Sequence, residues 1–237
     1  MNHAHTLLSL VFAGLAGSVL AQPQPAISPM QGLSTGQVKV LTLDQLDPAT
    51  RGMAERDLGL QRSAAKSGEP ETVPDQAATF KTHYASRAVY WEESKIRANL
   101  KSDWTDVSAS ELQGYRYEAF VPEGPSKAGP WSRYTRVYTR PDGVLVMLHE
   151  WDYVQDGGGV VLIKELMNAQ VHQHLARVVT RKTTSGQHFS ELTWVTDRKY
   201  YTLTVWDRLD ARGLRPYDRS WLVSLAEQLS GAEPGRR

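Results

Sequence analysis

The sequence predicts an α+β domain: an antiparallel β-meander of about six or seven strands packed by a C-terminal helix, with one or two N-terminal helices before the sheet. Three observations indicate this class. Apolar residues recur at helical spacing before residue 100, alternate with polar residues from Gly114 onward, and return to helical spacing after Pro216. Turn signals such as Pro141-Asp142-Gly143 and Thr184-Ser185-Gly186 separate the alternating segments. No helix-length segment lies between them, which favours antiparallel pairing of neighbouring strands.

The composition fits one folded core and excludes several classes of function. The chain has 237 residues, of which 41% are hydrophobic, so one domain with or without an extension is expected. Its 27 Lys and Arg residues balance 26 Asp and Glu residues, which gives no long-range field for nucleic acid or an anionic membrane. Cysteine is absent, which excludes disulfides, thiolate ligands, a cysteine nucleophile and the lipidated cysteine of a bacterial lipoprotein. We expect no nucleic acid and no stable membrane insertion.

The N-terminal segment predicts export. Residues 7–21 form an uncharged apolar run of signal-peptide length, too short for a comfortable transmembrane helix. The run ends in Val19-Leu20-Ala21, which a signal peptidase would accept, so cleavage is predicted after Ala21. No Lys or Arg precedes the run, and a short uncleaved anchor is therefore the alternative. The mature protein is expected to be soluble and exported, in the periplasm if the source is Gram-negative.

The rest of the chain divides into three predicted parts: a flexible lead-in with a short helix and a linker (22–75), a single α+β domain (76–231) and a tail (232–237). The short helix begins where Asp47 caps Pro48, and it is expected to end near Gly59. A second helix is predicted from Gln76 to about Leu100. The aromatic or small residues that would share its face are Phe80, Tyr84, Ala88 and Trp91. A strand from Ala88 to Trp91 is the alternative, and both remain open.

The last two predicted strands form a hairpin whose register can be stated residue by residue. A turn centred on Asp197-Arg198 places Trp194 opposite Tyr201 and Leu192 opposite Leu203 on one apolar face. On the other face Thr193 meets Thr202. A final helix is predicted from about Pro216 to Leu229, with Gly231 as its stop. Its apolar stripe, expected to cover the apolar face of the sheet, comprises Trp221, Leu222, Leu225 and Leu229.

Three glycines at 157–159 lie between two apolar segments and raise the question of a phosphate site. No Lys-Ser or Lys-Thr pair follows them, and no helix begins there to supply a dipole. Asp156 before Gly157 is instead a hairpin signal. A hairpin centred there would place His149 opposite Glu165 and Glu150 opposite Lys164.

Three histidines form the alternative functional site. His172 and His174 have the spacing that places two imidazoles on one face of a strand, and His149 on a nearby strand could join them. Asp152 points to the opposite face from His149 and cannot join the same set. The segment 168–174 also resembles a turn, where an exposed histidine pair usually has no function. We therefore predict no metal and no cofactor, and a hydrolase or metal-binding enzyme built on these three histidines stays the alternative.

No catalytic residue is predicted from the remaining motifs. The segment 32–36 matches G-x-S-x-G, but it lies in the polar lead-in and not at a strand-to-helix turn, where that motif has its chemical meaning. Sequence spacing also selects no pair of carboxylates for glycoside hydrolysis, because that chemistry depends on the distance between the two carboxyl groups in the folded protein. The available carboxylates are Glu92, Glu93, Glu118, Glu150 and Asp152. Whether the protein is an enzyme stays open, with the balance against it.

Tyr200, Trp206 and Phe189 are the predicted ligand or partner surface. Tyr200 and Trp206 lie on the face of their strand opposite Tyr201, and Phe189 faces Trp206 on the neighbouring strand. Aromatic side chains left on an outer face would suit a protein, a small apolar ligand or a glycan. The sequence thus predicts an exported binding or accessory protein that acts through a sheet surface or groove.

The segment from about Val160 to Gly231 resembles a known group of exported proteins. Its strands HLARVV, LTW and YYTLTV precede a helix that ends in SLAEQL. This order is similar to the closing part of PsbP-like proteins and, more loosely, of periplasmic lipoprotein-carrier and sigma-regulator proteins. These families consist mostly of binding and accessory proteins, so the resemblance implies a non-enzymatic role by analogy.

Overall fold

The computed structural model describes residues 33–74, 86–123, 129–207 and 218–230. Within these ranges the chain forms an eight-stranded, mostly antiparallel sheet, a two-stranded parallel sheet, an N-terminal helix and a short C-terminal helix. The predicted α+β class is confirmed. The elements are β1 (Val38–Leu41), α1 (Pro48–Ser67), β2 (Glu71–Val73), α2 (Glu93–Arg97), β3 (Arg116–Pro122), β4 (Arg133–Thr139), β5 (Leu145–Asp152), β6 (Val160–Ile163), β7 (Ala169–Val171), β8 (His174–Thr183), β9 (His188–Val195), β10 (Lys199–Asp207) and α3 (Arg219–Ser230).

The large sheet consists of two three-stranded meanders that lie side by side. Its order is β2-β8-β9-β10-β5-β4-β3, with β7 paired to the start of β8. The meanders β3-β4-β5 and β8-β9-β10 meet where β5 pairs with β10 over their full length. The strand β2 adds a parallel edge. The strands β5 and β10 are therefore central, and their outward-facing side chains lie in the middle of the sheet.

The predicted hairpin at the end of the sheet is confirmed in register. Trp194 pairs with Tyr201, Thr193 with Thr202, and the two leucines 192 and 203 with each other. The rings of Trp194 and Tyr201 stack at 4.8 Å. A two-residue turn and strict alternation together fix this register, because a slip of one residue would expose every apolar side chain.

The C-terminal helix covers the apolar face of the sheet, called here the inner face. Residues 219–230 are helical, and Leu222, Leu225 and Leu229 are buried against the sheet, as the stripe predicts. The sheet residues in this core include Leu148, Leu192, Leu203 and Val205. The opposite face is called the outer face.

The predicted hairpin across the three glycines is wrong. The strand β6 does not pair with β5; it pairs in parallel with β1, from Val38–Val160 to Leu41–Ile163. Both edges of β5 are occupied, since His149 pairs with Thr135 on β4 and with Thr202 on β10. Neither Glu165 nor Lys164 can therefore lie opposite the β5 residues. All four residues of β6 are buried, as a strand between two apolar layers requires.

The glycine segment turns the chain out of the sheet and is occupied by backbone contacts. The Gly157 and Gly158 N–H groups donate to the Val154 and Tyr153 carbonyls, and Gly157 has φ of 74°. A Cβ at Gly159 would lie 2.8 Å from the Gln37 carbonyl, so only glycine fits beside the segment leading into β1. These contacts are structural, and two of the N–H groups that a phosphate would need are already bonded.

The first helix is longer than its sequence signals indicate. Asp47 accepts hydrogen bonds from the Ala49 and Thr50 N–H groups, so the predicted start is confirmed. The helix passes through Gly59 and ends at Ser67, where Gly68 takes a φ of 74°. The predicted end near Gly59 is wrong, because a helix interior tolerates glycine at a cost of only about 1 kcal/mol. Residues 62–67 are helical and not part of a linker.

The prediction of a continuous second helix up to Leu100 is also wrong over residues 86–100, which the structure describes. Phe80 and Tyr84 lie outside the described residues. Val89 forms a single antiparallel bridge with Phe120, and helix resumes only from Glu93 to Arg97. No helix within the described ranges is long and apolar enough to span a bilayer. The predicted signal peptide and tail fall in residues 1–32 and 231–237, outside those ranges.

Candidate functional site

A row of polar side chains crosses the outer face of the sheet. Five residues on five adjacent strands are successive cross-strand partners, so their side chains lie side by side on this face. This polar row, in order from β8 to β4, is Arg177, Thr193, Thr202, His149 and Thr135. An antiparallel sheet commonly has one apolar and one polar face, and the row crosses the polar one.

The outward residues of the central strand β10 form a strip of the outer face, which is treated below as a candidate groove. They are Tyr200, Thr202, Thr204 and Trp206, all of them half-buried. Glu191 pairs with Thr204 from one side and His149 with Thr202 from the other. The groove is defined here by these six residues. It has an aromatic ring at each end and hydroxyl, imidazole and carboxyl groups between them.

Three elements border the groove and keep it half-buried. The β1-β6 pair covers Trp151, Val195 and part of Tyr200. Helix α1 packs with this pair and reaches β8, where Asp57 bonds Arg177. Beyond β4, Ala88 packs on a buried apolar patch of the outer face. The centre of the face between these elements is neither sealed by apolar packing nor fully exposed.

His149 is held by a carboxylate and a hydroxyl. Its Nδ1 atom lies 3.2 Å from Glu123 Oε1 and 3.1 Å from Thr135 Oγ1. The Thr135 hydroxyl donates to the same Glu123 oxygen at 2.9 Å, so its oxygen is an acceptor toward the imidazole. Since both neighbours are then acceptors, Nδ1 carries the proton. The other ring nitrogen, Nε2, has no hydrogen-bond partner among the described residues.

Glu123 stays ionised in this arrangement. Burial would raise its pKa, but the neighbouring His149 and Arg133 and the hydrogen bonds from His149 and Thr135 lower the pKa to about 2. A carboxylate that only accepts hydrogen bonds fixes the imidazole tautomer, as the orienting carboxylate does in many histidine sites.

The other groove residues have perturbed electrostatics of their own. Burial raises the pKa of Tyr200, and its hydrogen bonds with Thr202 and Thr193 oppose the rise only in part. Burial also raises the pKa of Glu191, against the charges of Arg181 and Arg177. Polar groups with shifted pKa values that lie close together are found at many binding sites.

The three aromatic residues of the predicted surface lie together with the polar row. Tyr200 and Trp206 are at the two ends of the groove floor, and the Tyr200 ring lies edge-on to His149 at 6.4 Å. Phe189 is buried beneath Trp206, with which it stacks at 5.1 Å. Trp206 and Tyr200 are the members of the predicted set that a ligand could touch.

The three histidines of the alternative site are not brought together. His172, with φ of 50°, lies in the β7–β8 turn, where its Nε2 contacts the Glu227 carbonyl at 2.9 Å. His174 is beside it and contacts Gln173. His149 is three strands away in the central part of the sheet. Within the described ranges no group of three His, Cys, Asp or Glu residues is placed to hold a metal ion.

Two of the carboxylates considered for catalysis form structural ion pairs on the inner face. Glu150 accepts hydrogen bonds from Arg136, Lys199, Tyr134 and Thr105 and is buried. Asp152 is buried and bonds Arg198. Both lie on the face opposite His149, as the strand period predicts for Asp152. Sequence reasoning missed the Glu150 cluster because its members come from β4, β5, β10 and the segment around Thr105, which are far apart in the chain.

Ser34 of the G-x-S-x-G match lies in a turn and not at the start of a helix. Its N–H donates to the Gln37 side chain, and β1 follows. The motif therefore lacks the strand-to-helix turn that its chemistry requires.

A separate cavity of about 260 Å³ lies between α1 and the edge of the sheet. It is lined by Leu60 and Ala64 of α1 and by Val179 and Thr180 of β8. It contains none of the predicted site residues.

Comparisons of the chain with protein-family models, with curated proteins and with solved structures find no match. The resemblance of residues 160–231 to PsbP-like proteins therefore stays a prediction.

Proposed function

We propose that this chain is an exported binding or accessory protein that holds its ligand in the groove of the outer face. The observation that carries the proposal is the polar row in the centre of the sheet, of which Thr202 and His149 are half-buried, with Tyr200 and Trp206 on either side of Thr202 along β10. Small-molecule sites combine aromatic walls with a few convergent polar groups, and the groove has both. The proposal includes the periplasm as location if the source is Gram-negative.

A binding role accounts for this face better than a structural role does. Thr202, Thr204 and Glu191 would gain stability from apolar replacements if the face existed only to pack, because burying polar groups is costly. Glu191 is held by Arg181 and Thr202 lies 3.4 Å from Thr193, so these polar groups are positioned in advance, which favours binding. An enzyme built on His149, His172 and His174 has no comparable support, since the three residues lie in different places.

The groove can be tested by filling it. A Thr204→Tyr variant adds a ring to the groove floor, whereas Thr72→Tyr makes the same change at an exposed position of the edge strand β2. Each protein would be purified from the exported fraction without chelator and weighed by native mass spectrometry. We expect a retained small molecule in the wild type and in Thr72→Tyr, and its loss in Thr204→Tyr at unchanged thermal stability.

Two results would contradict the proposal. One is a retained mass that Thr204→Tyr does not displace. The other is a bare chain in all three proteins that also fails to bind any component of the small-molecule extract of the same compartment.

A further inference from the structure

A cluster of five charged side chains lies where α1 and β2 meet the outer face of the sheet. Arg177 of β8 bonds Asp57 of α1. Arg181, also on β8, bonds two carboxylates: Glu71 of β2 at 3.2 Å and Glu191 of β9 at 3.0 Å. The side chains of Glu71 and Glu191 are 30% and 20% exposed. Three carboxylates thus face two guanidinium groups, and one guanidinium serves two carboxylates that would repel each other when both are ionised.

Glu191 is the carboxylate of this cluster for which ionisation is least favourable. Burial raises its pKa above 4.5, and the charges of Arg181 and Arg177 oppose that rise only in part. On the adjacent strand β10, Thr204 pairs with Glu191, and burial raises the pKa of the Tyr200 phenol, so β10 brings no charge near the carboxylate. Because the folded pKa lies above the ordinary value, the stability of the fold decreases as the pH rises from about 4.5 through that pKa.

The edge strand β2 is held on the sheet by few contacts. It has three residues, and among the described residues its strand partner is β8 alone. Val73 is buried, and its carbonyl accepts a hydrogen bond of 3.0 Å from the Thr184 N–H group. The ion pair of Glu71 with Arg181 is the contact that ties the start of β2 to the outer face. Short segments with few buried contacts open locally at a low cost in free energy, so a change in one ion pair matters here.

The segment around β2 forms part of the wall of the cavity beside α1. Gly68, Pro70 and Glu71 line this cavity together with Leu60 and Ala64 of the helix. Its volume of about 260 Å³ is at the small end of the range for ligand sites, which is about 300–1,000 Å³. Movement of β2 away from β8 would remove one wall and open the cavity.

We propose that Glu71, Arg181 and Glu191 form a proton-controlled latch on β2, which closes the cavity when Glu191 is protonated and loosens when Glu191 is ionised. With a neutral Glu191, the guanidinium of Arg181 is paired with the charge of Glu71 alone and holds β2 on β8. With an ionised Glu191, Arg181 is shared and the new charge repels Glu71. The latch needs no ligand in the groove, so it stands or falls separately from the binding function proposed above.

Three variants separate the latch from a purely structural ion pair. Glu191→Gln keeps the side chain neutral at every pH and therefore keeps the latch closed. Glu69→Gln is the matched control, since Glu69 precedes β2, is 69% exposed and pairs with Lys182 at the surface. Glu71→Gln removes both the repulsion and the competitor for Arg181, so it should lower the pKa of Glu191. That effect is the reciprocal of the effect of Glu191 on β2.

Hydrogen exchange of the Thr184 amide reports the opening of β2, because this N–H group is bonded to Val73. The rate would be corrected for intrinsic exchange and followed from about pH 4.5 to pH 8. We expect opening of the wild type to become about tenfold more frequent over this range, as for two carboxylates that change each other's acid dissociation constant tenfold. Glu191→Gln should show no such rise, and Glu69→Gln should behave as the wild type does. Carbon-13 resonance of the glutamate carboxyl groups measures the pKa of Glu191 in the wild type and in Glu71→Gln.

Two results would overturn the latch. One is corrected exchange at Thr184 that depends on pH equally in the wild type and in Glu191→Gln. The other is a Glu191 carboxyl that titrates at the same pH in the wild type and in Glu71→Gln, which a structural ion pair without coupling would give.

Discussion

Replacing Glu150 by alanine is expected to lower the free energy of unfolding by about 3–5 kcal/mol. Glu150 and Arg136 are 1% and 0% exposed in their side chains, and Lys199 donates to the same carboxylate at 3.2 Å. Removal of the carboxylate leaves two cations buried without their counter-charge. The guanidinium of Arg136 also lies 4.5 Å from the centre of the Trp104 ring, so its displacement would disturb the segment that covers this edge of the sheet. Urea denaturation followed by circular dichroism measures the loss.

Glu118→Ala is the matched control. It removes a carboxylate from an ion pair at the surface, which is worth about 0–1 kcal/mol. A Glu150→Ala variant that loses no more than this control would show that the buried cluster does not hold the inner face together.

The same carboxylate is expected to make the protein sensitive to acid. Burial would raise the pKa of Glu150, but the charges of Arg136 and Lys199 and the hydrogen bond from Thr105 lower it from 4.5 to about 2. Because the folded pKa lies below the ordinary value, this stabilisation is complete above about pH 4.5 and is lost as the pH falls toward 2. The wild type should therefore lose on the order of 3 kcal/mol more than Glu150→Gln between those limits. If the unfolding free energy of the wild type and of Glu150→Gln fell equally with falling pH, Glu150 would not be ionised in the folded protein.

Replacing Leu225 by alanine is the second change with a large expected effect, about 2–5 kcal/mol of unfolding free energy. Leu225 is fully buried where α3 packs on the sheet, beside Leu222 and Leu229. Truncation leaves a cavity between the helix and the inner face, which the surrounding rigid sheet cannot close. Urea denaturation measures the loss of unfolding free energy. The slope of that free energy against urea concentration should be the same in the two proteins.

Leu60→Ala provides the control for this prediction because it makes the same truncation on a helix where the side chain is 44% exposed. We expect a loss of about 1 kcal/mol or less there. Similar losses in the two variants would mean that α3 does not seal the inner face.

Features with local determinants could be predicted from the sequence. The β9–β10 hairpin follows from a two-residue turn and an unbroken period of two. The docking of α3 follows from its apolar stripe, and the start of α1 follows from the capping carboxylate of Asp47. Each of these depends on residues that are neighbours in the chain.

Features that depend on distant partners could not be predicted in this way. The turn at Asp156-Gly157 indicated a hairpin, but β10 occupies the edge of β5 that β6 would need. His149 was recognised as a candidate, yet its partner Glu123 lies 26 residues earlier and meets it only through the pairing of three strands. The polar row likewise exists only in the register of the sheet. The aromatic surface was predicted because Tyr200 and Trp206 alternate on one strand.

The most direct test of the central claim, that the groove of the outer face is where this protein binds, is a methyl spectrum of protein labelled at threonine. The small-molecule extract of the exported compartment would be added to the purified chain. We predict that the methyl signals of Thr193, Thr202 and Thr204 shift together, while those of the exposed Thr72 stay unchanged. Shifts confined to Thr180, which lines the cavity beside α1, or to residues of the β7–β8 turn in a parallel amide spectrum, would place binding elsewhere and contradict the claim.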